Sequence, residues 1–489
     1  MRMVIGEVDD SWQVRTIENI RLPVRLGQDV FRDGYLQEKT IQQTEEVFLR
    51  FKQMVENYHI QRLRAVATSA AREASNSDLL VDRVFRTSGI EIEVISGEEE
   101  ARLIHGAVAR ALDLKNKRTL LIDIGGGSVE VTLSTGRNII STDSYNLGTV
   151  RLLEKLNGKS HSPQPLGSLV REYAEAARFR LEQDLGKKKI QICAATGGNV
   201  EEIGRLRQKV LKGESDEFIT VEELGALIER LESLTYEERM RKLKLREDRA
   251  DVILPASIVL HLIASEAGAN RIMIPNVGLK DGILLDIAED LSKHLPVRRR
   301  EQAWESALHM GRKYQFDEKH ARLTSRLAAR LFEQSKTLHN LDDHDLLLLE
   351  IGALLHDIGH FIGSANHDVH GYYLLSATPL IGLSQREQNI IANLVRFHRR
   401  PSPAGDDRDF KSLPQKDRLM VTKLSVLLRL ADSLDISHMD HVRDVSLKQV
   451  GPVWKMKVHG KKDQTLLNWA FAKRKSQFRD VFGVDLEMD

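Results

Sequence analysis

Cysteine, long apolar runs and net charge are all scarce in this sequence. The chain of 489 residues has one cysteine, Cys193, which excludes a disulfide framework and a four-cysteine zinc site. No apolar run reaches the roughly 18 residues that a membrane span requires. Lysine and arginine total 72 against 71 aspartate and glutamate, so no global field attracts DNA or a membrane. With an N-terminus that lacks a signal-peptide pattern, these absences predict a soluble, cytoplasmic protein without DNA or membrane partners.

The segments that are present fall into zones with different periodicity. The first two zones alternate strand-like and helix-like segments, which predicts two α/β lobes. Pro296 and the arginines at 298–300 predict a linker, and the zone after it has helical periodicity throughout. The last zone predicts a hairpin and a helix, either as a small α+β cap or as an extension of the helical domain. We expect parts with the boundaries 1–117, 118–295, 296–440 and 441–489.

Three predicted strands end in turns that suit an anion. The strongest turn is LIDIGGGS, where glycines allow backbone N–H groups to approach a phosphate and Asp123 suits a nearby Mg²⁺. Taken alone, this turn is explained by a tight hairpin, and a helix N-cap explains Thr68 or Ser69 equally well. Together the turns favour a phosphate-binding cleft between two lobes. The predicted phosphate ligands are Thr68, Ser69, Arg72, Gly125, Gly126, Gly127, Ser128, Thr196, Gly197 and Gly198.

Glu100 is a candidate general base. It follows Ser96 and Glu99, which have the spacing of a capping box at the start of a predicted helix. Glu100 shares a helical face with apolar residues such as Leu103 and Ile104, so its carboxylate points inward. Desolvation there raises a carboxyl pKa, which suits a base that acts on water. An inward glutamate paired with a buried arginine is the structural alternative.

Six segments in order resemble the exopolyphosphatase / guanosine pentaphosphate phosphohydrolase family (Ppx/GppA): VATSAAREASN, VISGEEEARLIHGAV, LLIDIGGGSVEV, YNLGTVRL, AATGGN and PNVGLKDGIL. The resemblance implies two actin-like, ribonuclease-H-like lobes and a protein that is commonly a homodimer. It implies Mg²⁺-dependent removal of a terminal phosphate from inorganic polyphosphate or pppGpp. The catalytic glutamate of the family falls on Glu100, its phosphate loops fall on Asp123, 125–128 and 196–198, and its arginine falls on Arg72.

One part of the family pattern has no counterpart here. The family begins with a strand that carries a DxGSNS-type phosphate loop, whereas MRMVIGEVDD resembles the strand just after that loop. We therefore expect the first lobe to lack one strand and one phosphate clamp. A non-catalytic sensor of polyphosphate or (p)ppGpp is the hypothesis that follows from this departure.

The helical zone contains a second set of candidate ligands. HARLTSRLA, ALLHDIGH and LLRLADSLD resemble the HD-domain phosphohydrolase superfamily and supply His320, His356, Asp357 and Asp432. Mixed histidine and aspartate ligands suit Mn²⁺, Fe²⁺ or another divalent ion, and such a site activates water. A helix end with ordinary core histidines is the structural alternative. The remaining histidines, at 360, 367, 370 and 398, are candidates for contacts with substrate phosphate or a second ion.

The two sets lead to alternative enzymes. In the first, the lobes hydrolyse a terminal phosphate with Glu100 as base. In the second, the HD site hydrolyses a nucleotide or alarmone while the lobes regulate it. A basic stretch near the second set, at His398, Arg399 and Arg400, is our candidate contact for a long polyanion.

Overall fold

The computed structural model describes residues 1–9, 14–157, 166–185, 189–291, 295–399, 407–460 and 465–488. The chain divides into two compact units, Met1–Pro296 and Val297–Asp489. Across the ranges given above, no helix has the combined length and hydropathy needed to cross a lipid bilayer.

The first zone forms short strands and helices around a small apolar core. Helix spacing of apolar residues in EKTIQQTEEVFLRFKQMVEN buries Ile41, Val47 and Phe51 on one face. The elements are β1 (Arg2–Val8), β2 (Val14–Arg21), β3 (Ala65–Ala67), β4 (Ile92–Val94), α1 (Leu26–Asp33), α2 (Glu38–Asn57), α3 (Ser69–Glu73), α4 (Ser77–Ser88) and α5 (Gly97–Ala111).

The four strands of this zone pair in two separate sheets. β1 pairs with β2 antiparallel, and β3 pairs with β4 parallel. Residues of β1 and β3, such as Val4 and Val66, line one shared cavity. Within the described residues, β1 and β3 lie in separate two-stranded sheets, so each has one edge without a strand partner.

The second zone is built on one six-stranded sheet in the order β7-β6-β5-β8-β10-β9. Its strands are β5 (Arg118–Ile124), β6 (Val129–Thr135), β7 (Asn138–Tyr145), β8 (Ile192–Thr196), β9 (Phe218–Thr220) and β10 (Arg271–Met273). Its helices are α6 (Thr149–Asn157), α7 (Leu166–Leu185), α8 (Gly198–Leu211), α9 (Val221–Glu232), α10 (Tyr236–Leu243), α11 (Glu247–Ala250), α12 (Ile253–Glu266) and α13 (Leu279–Leu291). β5 is buried along most of its length, which explains its continuous apolar run.

Helix α5 lies before the predicted lobe boundary at residue 117 but packs against the sheet of the second zone. Ile104 and Val108 of this helix form an apolar cluster with Leu121 of β5 and Ala194 of β8. Helix α13 packs against α5 as well. α5 thus covers the six-stranded sheet, because its apolar stripe finds the larger apolar surface there.

The C-terminal unit is mostly helical and ends in a three-stranded sheet. Its helices are α14 (Leu295–Lys313), α15 (Glu318–Gln334), α16 (Lys336–His339), α17 (Asp343–Leu355), α18 (His367–Ala377), α19 (Gln385–Phe397), α20 (Arg408–Lys411), α21 (Gln415–Leu434) and α22 (Thr465–Phe482), with a 3₁₀-helix at Ile358–Phe361. Its strands are β11 (Val442–Val450), β12 (Val453–Gly460) and β13 (Asp485–Met488).

Two boundaries predicted for this unit have different outcomes. The boundary at 295/296 agrees with the division of the chain after Pro296, but the segment expected as a linker is the first turn of α14, where a proline costs little because its missing N–H would have no helical partner. Residues 441–489 share one core with the helices, since Met456 and Phe478 belong to the same apolar cluster as Leu427, as expected for an extension of the helical domain. The strands are therefore an edge of this unit and have no core of their own.

Candidate active site and metal centre

Three carboxylates from separate elements meet at the ends of the central strands. Asp123 of β5 lies opposite Glu130 of β6 in the antiparallel register and opposite Thr196 of β8 in the parallel register. Glu100 reaches the same place from α5, and one oxygen of each carboxylate lies within 4.8 Å of the others. Thr196 donates to Asp123 at 2.5 Å, and Ser144 donates to Glu130 at 3.0 Å. These hydroxyls hold two of the carboxylates in place.

Glu100 is the carboxylate of this group with an unpartnered oxygen. Its side chain is buried, and Oε2 has no hydrogen-bond partner within the part of the chain that the structure describes. Nη1 of Arg72 forms an ion pair with Oε2 at 3.6 Å, a distance too long for a hydrogen bond. Burial, followed by the charges of Glu130 and Asp123, raises the pKa of Glu100 well above its usual range. A carboxylate in this state is a strong candidate for accepting a proton.

The other two carboxyl groups are also shifted. Burial and then the charge of Asp123 raise the pKa of Glu130 to about 7, against the hydrogen bonds from Ser128 and Ser144. Burial raises the pKa of Asp123, against the hydrogen bond from Thr196. A cluster of three carboxyls with raised pKa values is destabilised as anions and therefore favours a bound cation.

The predicted glycine turns lie beside these carboxylates. A cavity of about 1060 Å³ is lined by Glu100, Asp123, Thr68, Gly125, Gly126, Gly197 and Gly198. Gly197 has φ 108°, and a Cβ there would come within 2.6 Å of the Ile124 carbonyl oxygen. A Cβ on Gly127 would lie 2.4 Å from Oγ of Ser69. The turns thus need glycine because backbone and side chains approach closely, and α8 begins at the cavity with N–H groups that favour an anion.

The first predicted turn is placed around the same group. Thr68 precedes α3 without capping it through a side-chain hydrogen bond, and it lines the cavity. Ser69 is buried against Gly127. Arg72 donates from Nη1 to the Ile95 carbonyl at 2.6 Å, which aims it at Glu100. All three turns converge, as a phosphate cleft requires.

Glu99 has a larger role than the predicted capping box. Oγ of Ser96 accepts from its N–H at 3.2 Å, as expected. Its carboxylate, however, binds Arg102 at 2.7 Å and Arg64 at 3.1 Å, and both arginines also bind Asp286 of α13. This buried ion-pair network joins α5 to α13 and to the segment before β3, so it holds the helix that carries Glu100.

The histidine and aspartate set of the C-terminal unit also converges. His320 comes from α15, His356 ends α17, Asp357 follows it, and Asp432 comes from α21. Nε2 of His320 and Nε2 of His356 are 3.2 Å apart, and each lies 3.5 Å from Oδ1 of Asp432. Oδ2 of Asp357 lies 3.6 Å from Nε2 of His356. The pair at 356–357 is at the helix end rather than within the helix, because α17 stops at Leu355.

Each imidazole of this set is oriented through its other nitrogen. Nδ1 of His356 faces the Ala353 carbonyl at 2.7 Å, and Nδ1 of His320 faces Asp435 at 2.8 Å. A carbonyl oxygen only accepts, so Nδ1 of His356 carries a proton. The Nε2 atoms of His320 and His356 both face Asp432, so once deprotonated they would offer two nitrogen donors beside a carboxylate, which suits a divalent ion.

Two further histidines extend the cluster around Asp357. Nε2 of His367 and Nε2 of His398 lie 3.2 Å and 3.6 Å from Oδ1 of Asp357, and 3.1 Å from each other. His398 was predicted both as a polyanion contact and as a candidate for a second ion, and its burial against this cluster is compatible with the second prediction only. Nη1 of Arg399 lies 3.4 Å from Nδ1 of His367, and Arg400 lies outside the described residues.

The pKa value of each group in this cluster depends on the charges of its neighbours. Burial opposes ionisation of Asp357, but the charge of His356 and the hydrogen bond from His367 hold its pKa far below the usual range. Burial and then the charge of His356 lower the pKa of His398 to about 4.

Burial opposes protonation of His320, but the hydrogen bonds with Asp432 and Asp435 raise its pKa to about 9, and the charge of Asp357 likewise raises the pKa of His356 against burial. A divalent ion bound by these imidazoles would have to displace their protons.

The sequence model of the Ppx/GppA phosphatase family matches residues 4–291, which contain the three predicted phosphate-binding turns and the carboxylate group. The chain belongs to the Ppx/GppA phosphatase family. It is therefore a phosphate-removing hydrolase. The model of Ppx/GppA phosphatase domain III matches residues 302–472, so the helical unit is the family's domain III, and the narrower HD assignment stays a prediction.

Individual members of the Ppx/GppA family cover most of the chain. A guanosine-5'-triphosphate,3'-diphosphate pyrophosphatase of Photobacterium profundum is 25% identical over 433 residues, 87% of this chain and 82% of the relative. A solved Ppx/GppA member of Aquifex aeolicus is 25% identical, with a TM-score of 0.51 over 60% of this chain and 94% of its own. An exopolyphosphatase from Cytophaga hutchinsonii has the same fold, with a TM-score of 0.55 at 22% identity over 59% of this chain and 94% of its own.

Sequence reasoning missed two residues of these Ppx/GppA sites. Glu130 has a usable signal, since a lone carboxylate in the apolar strand VEVTLS has to point into a site or an ion pair. Asp435 follows Asp432 by three residues in ADSLD and lies directly after the end of α21. Neither local signal tells which side chains the carboxylate meets, and only the tertiary contacts supply these partners.

Proposed function

We propose that this protein removes the terminal phosphate from inorganic polyphosphate or from guanosine 5'-triphosphate 3'-diphosphate. The observation that carries the proposal is the unpartnered Oε2 of Glu100, buried among two carboxylates and beside the glycine turns. Both substrates present the same terminal phosphate, and the named relatives act on substrates of this kind. In this proposal, Glu100 orients the water and accepts its proton as the water attacks in line.

A divalent ion completes this proposal. The donors of Glu100, Asp123 and Glu130 are all carboxylate oxygens, which suit Mg²⁺ better than a softer metal. When bound, Mg²⁺ neutralises charge on the transferred phosphate. The turn at 125–128, the start of α8 and Arg72 supply N–H donors that hold phosphate oxygens.

Phosphate release under matched conditions tests the assignment. The assay compares polyphosphate, pppGpp and a plain nucleotide with Mg²⁺ or Mn²⁺, for wild type, Glu100→Gln and Asp357→Ala. Loss in Glu100→Gln alone supports the cleft. Loss in Asp357→Ala alone moves the chemistry to the C-terminal unit, and substrate binding without release by the wild type supports a sensor. Equal activity of all three proteins would refute both catalytic assignments.

A second candidate function is metal-dependent phosphohydrolysis in the C-terminal unit. The specific observation is the pair of Nε2 atoms on His320 and His356, which face each other beside two ionised aspartates. His320, His356, Asp357 and Asp432 would hold a divalent ion of the Mn²⁺, Fe²⁺ or Zn²⁺ class. Such an ion supplies a hydroxide near neutral pH, and a nucleotide or alarmone is the proposed substrate class.

A further inference from the structure

Arg429 carries a buried charge without a counter-ion among the described residues. It lies on α21 and is 3% exposed. Nη2 donates to the Arg399 carbonyl at 3.4 Å, and the buried Nε has no hydrogen-bond partner. A buried guanidinium normally binds a carboxylate or phosphate, because an unpaired interior charge is strongly unfavourable. The environment of Arg429 is therefore incomplete as it stands.

Two more arginines add positive charge at the same place. Burial and then the charge of Arg474 lower the pKa of Arg429 to about 9. Burial also lowers the pKa of Arg474, with Asp432 opposing and Arg399 reinforcing the shift. Arg399 contacts the cluster directly through His367. Arg429 and Arg474 thus interact electrostatically with each other and with Asp432, and Arg399 contacts Arg429 through its carbonyl oxygen and His367 through its guanidinium.

Asp432 is the carboxylate that offsets the charges of Arg429 and Arg474, but it is engaged elsewhere. Its Oδ1 lies 3.5 Å from Nε2 of both His320 and His356. A divalent ion held there would offset the negative charge of Asp432 and add positive charge of its own. An anion beside the arginines would then be stabilised more strongly.

We propose that Arg399, Arg429 and Arg474 form a phosphate-binding subsite next to the His/Asp cluster. The inference rests on the metal site proposed above for this unit. The planar fork of Arg429 suits two oxygens of one phosphate group, which a lysine could not match. The ligand class is a phosphate monoester, a phosphoanhydride or free orthophosphate.

Titration calorimetry on the full chain measures phosphate binding to this subsite when the ligands of the N-terminal cleft have been removed by substitution. Glu100→Gln together with Asp123→Asn removes the cleft ligands, and orthophosphate and guanosine monophosphate are titrated in separate arms to tell the two sources apart. Adding Arg429→Met should weaken binding about tenfold to hundredfold, as for loss of a charge-assisted pair. Arg429→Lys should give an intermediate loss. Lys416→Met removes an exposed charge from the same helix and should change nothing.

Two further measurements distinguish phosphate binding by Arg429 from a purely structural role. In phosphate-free buffer, Arg429→Met should raise the melting temperature, because it removes an unpaired buried charge. In phosphorus NMR, bound Mn²⁺ should speed relaxation of the bound phosphate, which places it beside the metal. Unchanged phosphate affinity, a lower melting temperature of Arg429→Met, or no relaxation effect of bound Mn²⁺ would each overturn the proposal. Glu100-dependent phosphate release by the chain with an unsubstituted cleft is measured separately and reports on the cleft alone.

Discussion

The carboxylate group of the N-terminal unit and the His/Asp cluster of the C-terminal unit are both candidate cation sites, but they offer different donor atoms. The first offers oxygen atoms held by hydroxyls of Ser144 and Thr196. The second offers imidazole nitrogens held by backbone carbonyls and by Asp435. Oxygen donors favour Mg²⁺, whereas imidazoles favour transition metals. One chain can thus keep two cation sites that do not compete for the same ion.

The difference also concerns how each site is held. Glu100 depends on a helix that an ion-pair network fixes to α13, while each ligand of the C-terminal cluster lies at or near the end of a packed helix. Changes far from the carboxylates should therefore affect the first site more than the second.

Glu100→Gln should lower phosphate release by roughly 10²–10⁴-fold, because the amide cannot accept the proton from water. Steady-state release from polyphosphate measures the loss. Glu98→Gln is the matched control on the same helical turn and should retain activity, since Glu98 is outside the carboxylate group. A similar loss in both variants would mean that helix α5, and not the base, was damaged.

Arg102→Met should destabilise the N-terminal unit by about 1–3 kcal/mol. Arg102 is buried and binds Glu99 at 2.7 Å and Asp286 at 2.8 Å, so its loss leaves both carboxylates paired with Arg64 alone. Hydrogen exchange followed by mass spectrometry reports the two units separately, and peptides from α21 should not change. Arg86→Met breaks only the exposed pair with Asp82 and should cost less than about 1 kcal/mol.

Asp435→Asn should weaken Mn²⁺ binding in the C-terminal unit by about 10–100-fold. The carboxylate accepts from Nδ1 of His320 and so orients the nitrogen that faces the metal. Titration of Mn²⁺ into a chain with Glu100→Gln and Asp123→Asn measures this site alone. Asp440→Asn, an exposed neighbour, serves as the control, and equal affinities of the two variants would contradict the tethering argument.

Glu130→Gln should flatten the pH dependence of stability in metal-free protein. The pKa of Glu130 is raised from 4.5 to about 7 in the folded state. Its protonation therefore stabilises the fold below about pH 4.5, and that contribution is lost as the pH rises through about 7. Urea unfolding in a chelator at about pH 5 and about pH 8 should show a difference smaller by on the order of 2 kcal/mol in the variant. Glu98→Gln should keep the wild-type slope.

Local sequence pattern predicted much of this protein. The strand that ends in the glycine turn LIDIGGGS and the inward direction of Glu100 agree with the structure. The boundary at Pro296 agrees with the division into two units, but the segment is helical, because proline is compatible with both a linker and a first helical turn. His398 was assigned by its basic neighbours, while its actual contacts come from His367 and Asp357, residues distant in sequence.

By itself, the sequence determined the kinds of elements, the glycine turns and the types of metal-ligating residues, because these depend on neighbours a few positions away. Only the tertiary structure decided that α5 lies on the six-stranded sheet, bringing Glu100 to Asp123 and Glu130. It also decided that Arg429 is buried without a carboxylate partner among the described residues. Both outcomes depend on which apolar faces cover each other, and that choice is made by burial of the whole surface.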